Sequence, residues 1–325
     1  MKKTASLLAG LFISAAGMSS AAVAEPLKVA IVSRTVFFTP LWIAAERGFL
    51  KEEGIDAEIV LYDNAEKINE DLKSGKVQVA MGPPESVITD AYQGGSLRVV
   101  GGNAGKLPHF IITKPGIKTL AQLKGTRIGV LSLQEGTTHV IREIASVAGL
   151  KATDYEIVAV GGAPTRWRLL KEGKIDVGLQ PFPLSYEAVD AGFTNLGAVA
   201  GWIPDWQFTS VNADSNWAKS NPTLMAGFLR ALRRGQDEIA ASPDLAVAVA
   251  SKQLQSSPAL TRRALDETAR LKILADDLSV SKAGMSRVFG SLVTAGALPD
   301  DARFDFDKVV DSTWLQMSRV PAARK

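Results

Sequence analysis

The sequence predicts an α/β protein made of two doubly wound βαβ lobes that are joined by a two-strand hinge. A repeat inside the chain and an alternation of short apolar runs with helix-like segments in each copy predict this fold. After Asn221 the pattern becomes almost entirely helical, in short amphipathic stretches. We expect these carboxy-terminal helices to pack on the first lobe; an independent helical bundle is the less favoured alternative.

The repeat joins two distant segments of the chain. Segment 74–81 is echoed by segment 172–179, and both carry a Gly-Lys pair followed by an apolar run. At the same offset, Pro83 meets Pro181. Several such matches in one order indicate two copies of one fold unit. Because the period is too long for a solenoid, we interpret the copies as paired domains.

Each copy has the pattern of a βαβαβ unit. The predicted strands are 29–32, 58–62 and 77–81 in the first copy and 127–131, 155–160 and 175–179 in the second. Between the strands, Thr39 is predicted as a helix N-cap with Pro40 at the first helical position, and Asn64 as the cap of the next helix. Strands that alternate with helices of this length predict parallel sheets with helices on both faces.

The start of the chain resembles a secretory signal peptide, because Lys2 and Lys3 precede an apolar run and the small residues Ala22-Val23-Ala24. Serine and glycine residues interrupt the run, which disfavours a membrane anchor. We expect export to the periplasm with the signal peptide removed, and no membrane insertion. The predicted domains are 1–24 (signal peptide), 25–107 (lobe I), 108–205 (lobe II) and 206–325 (return to lobe I and the carboxy-terminal helices).

Composition argues against several other classes of protein. The 37 basic and 34 acidic residues are interspersed, so no basic stripe is available for nucleic acid. With no cysteine, the chain has no disulfide and no lipid-bearing cysteine. Its two histidines, His109 and His139, lack metal-ligand spacing, and no nucleophile elbow or Walker loop occurs. We expect no metal, no cofactor and no catalysis, and a monomer that binds a small molecule.

The repeat also predicts where that small molecule binds, because ligands of open parallel sheets lie beyond the carboxyl ends of the strands. The most specific signal for ligand binding there is Gly136-Thr137-Thr138, where a glycine and two hydroxyls at a helix start favour an anionic oxygen. An ordinary threonine N-cap without a ligand is the alternative. The candidate ligand-binding residues are Arg34, Phe37, Phe38, Pro84, Glu85, Ser86, Asn103, His109, Gln134, Gly136, Thr137, Thr138, Gly162, Gln180, Phe182, Trp202 and Trp206.

The aromatic candidates suggest a sandwich for a planar or apolar ligand body, although each one alone is more often part of a packed core. They are Phe37, Phe38, Phe182, Trp202 and Trp206. Arg34 is a candidate partner for a carboxylate or sulfonate, or else an ordinary surface arginine.

Segments 40–49 with 53–55, 72–80, 120–129 and 170–177 resemble the substrate-binding proteins for nitrate, sulfonates and taurine and their thiamine-precursor-binding relatives. The resemblance implies the type II periplasmic binding protein fold, with Gly136-Thr137-Thr138 where sulfonate binders use a Gly-Ser helix start against the anionic head. The chain departs from the family at Pro181-Phe182-Pro183, where Trp-Asp-Pro or Trp-Glu-Pro is common. Loss of that acid makes a cationic ligand less expected.

We therefore interpret the chain as the substrate-binding component of an ABC importer. It is expected to capture a small organic anion, a sulfonate or carboxylate with an aromatic or apolar body, and to deliver it to a membrane permease. The alternatives are a binder of a pyrimidine-type thiamine precursor, hydrogen-bonded by Glu85 or Glu135, a periplasmic sensor module for a membrane kinase, and an enzyme on the same fold.

Overall fold

The computed structural model describes residues 25–62, 64–133 and 136–320. The predicted signal peptide, residues 1–24, lies outside the described residues, as do Gln134 and Glu135 of the predicted anion-binding loop. Across the described ranges, no helix combines the length and the apolar character that a membrane crossing requires.

Two five-stranded sheets form the two lobes. The strands of the described residues are, in chain order, β1 (Glu25–Ile31), β2 (Ile55–Leu61), β3 (Val79–Gly82), β4 (Leu97–Gly102), β5 (His109–Thr113), β6 (Arg127–Val130), β7 (Glu156–Ala159), β8 (Val177–Pro181), β9 (Thr194–Ala198) and β10 (Ser210–Asp214). The strand orders are β2-β1-β3-β10-β4 and β7-β6-β8-β5-β9. The two orders correspond strand for strand, which confirms the two-lobed α/β fold predicted from the repeat.

Both sheets are mixed rather than wholly parallel, which corrects the prediction of parallel sheets. Strands β1, β2 and β3 are parallel, as are β6, β7 and β8, and these are the strands of the repeated units. In contrast, β10 runs antiparallel to β3 and β4, and β5 runs antiparallel to β8 and β9. The reason is that β5 and β10 each enter their sheet directly from the other lobe, without a crossover helix that would reverse the chain.

Helices connect the strands and form most of the carboxy-terminal third. They are α1 (Thr39–Glu46), α2 (Phe49–Glu52), α3 (Ala65–Lys73), α4 (Glu85–Tyr92), α5 (Gly136–Val147), α6 (Ala163–Lys171), α7 (Leu184–Asp190), α8 (Ser215–Ser220), α9 (Pro222–Ala241), α10 (Pro243–Leu254), α11 (Pro258–Arg270), α12 (Lys282–Thr294), α13 (Phe306–Val309) and α14 (Thr313–Ser318).

Two predicted helix starts can be compared with the structure. Asn64 caps α3 as predicted, because its side-chain oxygen accepts a hydrogen bond from the Lys67 amide at 2.8 Å. The prediction of Thr39 as the cap of α1 was wrong by one residue, since the helix already includes Thr39 and the N-cap is Phe38. The Thr39 hydroxyl instead turns back and donates to the Val36 carbonyl at 2.6 Å, within a short 3-10 turn.

Two crossing segments, 103–108 and 199–209, join the lobes and are hydrogen-bonded to each other. The amides of Phe208 and Thr209 donate to the Ala104 carbonyl at 2.9 and 3.1 Å. The Asn103 side chain donates to the Thr209 hydroxyl at 3.0 Å, and both side chains are buried. These bonds make the two-strand hinge between the lobes.

The carboxy-terminal helices pack on the first lobe, as predicted. Helix α9 packs along α1, α2 and β2, while α12 and α13 pack on α4. A bidentate ion pair joins Arg230 of α9 to Glu53 at 2.8 and 3.0 Å. Two of the helices also reach lobe II, because Arg287 of α12 pairs with Glu143 of α5 and Arg263 of α11 lies 3.7 Å above the ring of Tyr186.

Candidate functional site

A cavity of about 30 Å³ lies between the lobes, beyond the carboxyl ends of the parallel strands. This volume holds about two water molecules, so side chains of the two lobes lie almost against each other. The polar residues that line the cavity are Ser33 and Thr35 of lobe I and His109, Thr137 and Arg166 of lobe II. Polar groups of both lobes therefore converge on one small space between the lobes.

Lobe I contributes two hydroxyls from the loop that follows β1. Ser33 and Thr35 are 9% and 3% exposed, and their hydroxyl oxygens have no hydrogen-bond partner in the part of the chain that the structure describes. Buried polar groups are almost always partnered, and leaving one unsatisfied costs about 1–3 kcal/mol. The loop therefore places two hydroxyls where a ligand or an enclosed water would satisfy them.

Lobe II contributes the imidazole of His109, the first residue of β5. The side chain is 3% exposed, and its ring meets Phe208 edge-on with a centroid distance of 4.7 Å. Burial, and secondly the positive charge of Arg166, hold the pKa of His109 well below its ordinary value. The imidazole is therefore neutral at physiological pH and offers one donor and one acceptor. Among the described residues, its Nδ1 has no hydrogen-bond partner.

Among the described residues that line the cavity, the permanently charged one is Arg166 of α6, which the sequence analysis missed. Its guanidinium is buried and donates to the carbonyls of Leu179 at 2.8 Å and Gly161 at 3.2 Å. These two bonds hold the group between β8 and the loop before α6, on the cavity wall. Arginine stays protonated inside proteins, so this wall carries a buried, positively charged side chain.

The predicted anion-binding helix start differs from the expectation. The Thr138 hydroxyl donates to the Ser132 carbonyl at 2.7 Å and is fully buried, so it closes its own loop. At Gly136, the carboxylate of Glu85 from lobe I lies so close that a Cβ on the glycine would clash with its Oε1. A carboxylate of the protein itself thus lies where the sequence analysis placed an anionic ligand. Thr137 alone of the three lines the cavity.

The predicted aromatic sandwich is only partly assembled. Phe37 lines the cavity, together with Phe208, which the sequence analysis did not single out. Phe38 is completely buried, and Phe182 packs inside lobe II with ring centroid distances of 5.3 Å to Phe110 and 5.2 Å to Tyr186. Neither of the last two lies among the residues that line the cavity.

The two predicted tryptophans are not among the residues that line the cavity. Trp206 is buried beside α5, where its Nε1 would lie 2.9 Å from a Cβ on Gly136. Trp202 packs over Gly197, a Cβ on which would lie 2.9 Å from the indole ring. Trp206 therefore belongs to the Glu85–Gly136 contact, and Trp202 supports the edge of the second sheet.

Several other predicted residues support the lobes or lie outside the cavity. Gln180 is fully buried, and its amide is oriented to donate to the Ala163 carbonyl at 3.2 Å and to accept from the Trp167 amide at 3.1 Å. Asn103 belongs to the hinge, as its bond to Thr209 shows. Pro84 is the N-cap of α4 and Arg34 is exposed.

The last two predicted residues border spaces between the lobes. Ser86 lines a separate groove of about 600 Å³ that opens beside Glu85. Gly162 lines the cavity, and a Cβ on this residue would lie 2.8 Å from the Ser33 hydroxyl of the opposite lobe. Gly162 is therefore a point where the two lobes approach each other closely.

Comparisons with known proteins support the resemblance seen in the sequence. Among curated proteins, the chain is 25% identical over 218 residues to a protein of Brucella abortus named as a candidate binding protein, with 66% of each chain covered. It is also 25% identical over 207 residues to the 4-amino-5-hydroxymethyl-2-methylpyrimidine phosphate synthase of Legionella pneumophila, with 61% of this chain and 64% of that protein covered. The chain thus spans just under two thirds of the length of these relatives.

Solved structures share the fold at low sequence identity. A Bordetella bronchiseptica protein is 20% identical with a TM-score of 0.78, over 90% of this chain and 96% of that one. The periplasmic aliphatic sulphonate binding protein SsuA of Escherichia coli is 16% identical with a TM-score of 0.69, over 91% and 99% of the two chains. The model of the family described as NMT1/THI5 like matches residues 36–246, which run from the loop after β1 into α10. The chain therefore belongs to the NMT1/THI5-like family.

Proposed function

We propose that the protein is the substrate-binding component of an ABC importer and captures a small organic anion between its lobes. The observation that carries this proposal is the convergence of buried polar side chains from both lobes on one interlobe cavity. A site divided between two hinged lobes encloses a solute when the lobes close, which suits capture and release. In this function the protein acts in the periplasm, after removal of residues 1–24, and a membrane permease receives the ligand.

The charge of the cavity favours an anion. Arg166 provides a buried positive charge, and the neutral imidazole of His109 adds none. A hydrogen bond to a charged group contributes about 1.5–3 kcal/mol, more than a neutral one. A carboxylate or sulfonate head bound at Arg166 would also satisfy the hydroxyls of Ser33 and Thr35, which are otherwise buried without a partner among the described residues.

The size of the cavity limits what binds without hinge motion. About 30 Å³ admits only a few non-hydrogen atoms, so a ligand with a larger body requires the lobes to move apart. The rings of Phe37 and Phe208, whose centroids lie 5.3 Å apart, then offer an apolar surface to that body. This combination suits a sulfonate or carboxylate that carries an apolar or aromatic group.

The names of similar proteins agree with this proposal without deciding the ligand. SsuA is named for binding aliphatic sulphonates, and the Brucella relative is named as a candidate binding protein. We infer from them the class of function, a binding protein that supplies an importer, and from Arg166 the class of ligand.

A thermal-shift screen of sulfonates and carboxylates tests the proposal. A ligand that binds the folded state only should stabilise it by about 2.7 kcal/mol when its concentration is a hundred times Kd. Mass spectrometry should then recover the ligand chemically unchanged. Stabilisation by none of these anions, or conversion of the ligand during incubation, would contradict the proposal.

A pyrimidine-type thiamine precursor is the second candidate ligand, and the name of the Legionella relative favours it. Neutral His109 and the two hydroxyls of Ser33 and Thr35 offer donors and acceptors to a heteroaromatic ring. The same screen with a hydroxymethylpyrimidine distinguishes the candidates. Turnover would indicate an enzyme, and co-purification with a membrane kinase would indicate a sensor module.

A further inference from the structure

The contact between Glu85 and α5 joins the two lobes beside the groove of about 600 Å³ that Glu85 and Ser86 line. Glu85 is the first residue of α4 in lobe I and is only 2% exposed. Its Oε1 lies against Gly136, the first residue of α5 in lobe II, as the clash of a Cβ on that glycine shows. A buried carboxylate of one lobe therefore lies at the amino-terminal end of a helix of the other.

This arrangement is electrostatically favourable only while the lobes are together. The first amides of a helix have no partner within the helix and carry partial positive charge, so they favour an anion. Helix α5 has twelve residues, long enough for this effect to be developed. When the hinge opens, Glu85 and Gly136 separate with their lobes, and water must replace the contact.

Other interlobe contacts flank this one. The Ser132 hydroxyl of lobe II donates to a carboxylate oxygen of Glu66 in lobe I at 2.7 Å. Further along α5, Glu143 pairs with Arg287 of α12. The latter pair is about half exposed and is expected to contribute little, so we expect the buried Glu85 contact to hold this edge closed more strongly than that pair does.

We propose that Glu85 is a tethered anion that occupies the end of α5 from the opposite lobe, and so fastens the cleft and excludes the anionic head of a ligand from that position. This inference deepens the proposed function, because it leaves the Arg166 side of the cavity as the place where the ligand's head binds. Any ligand then gains access only by separating the two lobes against this contact.

Solution scattering with two complementary variants tests the inference. Glu85→Ala removes the carboxylate, and Gly136→Ala places a methyl group where that carboxylate lies. A compact chain of this length has a radius of gyration of about 19 Å. Without added ligand we expect both variants to open, with a radius larger by about 1 Å than that of the parent. Gly290→Ala is the matched control, because nothing lies within 4 Å of its added methyl group.

Chemical rescue separates the role of the anion from a general loss of packing. Acetate at tens of millimolar should return Glu85→Ala to the radius of the parent, because a free carboxylate can occupy the vacated position. It should leave Gly136→Ala open, and sodium chloride at the same ionic strength should close neither variant. Radii equal to that of the parent in both variants would overturn the inference, and so would a Glu85→Ala chain that acetate does not close. Neither result affects the binding screen, which tests the proposed function separately.

Discussion

Replacement of Arg166 by lysine tests most directly whether this wall of the cavity binds an anion. The guanidinium uses two of its N–H groups to hold the Leu179 and Gly161 carbonyls, at 2.8 and 3.2 Å, and still lines the cavity. Lysine keeps the positive charge but has one ammonium group and no planar fork. Its three donors all lie on one nitrogen, so we do not expect it to reach both carbonyls and a ligand at the same time.

The magnitude follows from the lost hydrogen bond. A hydrogen bond to a charged group contributes about 1.5–3 kcal/mol, and about 1.4 kcal/mol corresponds to a tenfold change in Kd. We therefore expect Arg166→Lys to weaken binding of the anion identified by the screen by about 10- to 140-fold. The variant should remain folded, because the charge still has a carbonyl partner within reach.

Isothermal titration of the parent, Arg166→Lys and Arg168→Lys measures the effect. Arg168 lies on the same helix but forms an exposed ion pair with Glu172, which contributes at most a few tenths of a kcal/mol. Its replacement should change Kd by less than about twofold. If Arg166→Lys is folded and binds the anion as tightly as Arg168→Lys does, the head group does not bind at Arg166.

Three further predictions concern stability and processing. Glu53→Gln should lower the free energy of unfolding, measured in urea, by about 3 kcal/mol, because it breaks the largely buried ion pair with Arg230. The control Glu52→Gln, which breaks an exposed ion pair, should lower it by less than about 1 kcal/mol. Equal losses in the two variants would contradict this prediction. Burial alone would raise the pKa of Asp176, but hydrogen bonds from neighbouring cations outweigh it and lower the pKa. A carboxyl group whose pKa is lowered by folding stabilises the fold at pH values above its pKa in the unfolded chain, and this stabilisation is lost as the pH falls through its pKa in the folded state. Asp176→Asn should therefore destabilise the protein at pH 7 and have no effect in acid. A loss of stability that does not depend on pH would contradict this. Mass spectrometry of the periplasmic fraction should find Glu25 as the amino terminus, and an intact Met1 there would contradict the predicted cleavage.

The repeat made much of the fold predictable, because hydrophobic periodicity reports local structure and each copy is built from local βαβ units. The parallel strands β1 to β3 and β6 to β8 follow from it directly. The antiparallel strands β5 and β10 do not, since each depends on the chain crossing to the other lobe, which no local pattern specifies. The N-cap of α1 was misplaced for a similar reason: the Thr39 hydroxyl serves the preceding turn, and either position suits a threonine.

The site was less predictable than the fold, because its members depend on which face of an element turns inward. Arg166 and Arg168 occur two residues apart in one helix, and only packing places the first on the cavity wall and the second in solvent. Phe38 and Phe182 look like cavity aromatics in the sequence, yet both are core residues of their lobes. Ser33 and Thr35 were within reach of sequence reasoning, since they lie in a loop that follows a strand of the repeat.

The contact of Glu85 with Gly136 could not be predicted from the sequence. Glu85 lies in lobe I and Gly136 in lobe II, and each is by itself an ordinary first residue of a helix. Their meeting depends on the relative position of the lobes, which the hinge determines. Interlobe contacts of this kind require the three-dimensional structure.

A crystal structure of the protein with the anion identified by the screen tests the central claim most directly. We expect one ligand between the lobes, with its anionic head within about 3 Å of the Arg166 guanidinium and with contacts from Ser33 or Thr35 on the opposite lobe. A ligand bound in the outer groove beside Ser86, or one held by a single lobe with Arg166 untouched, would contradict it.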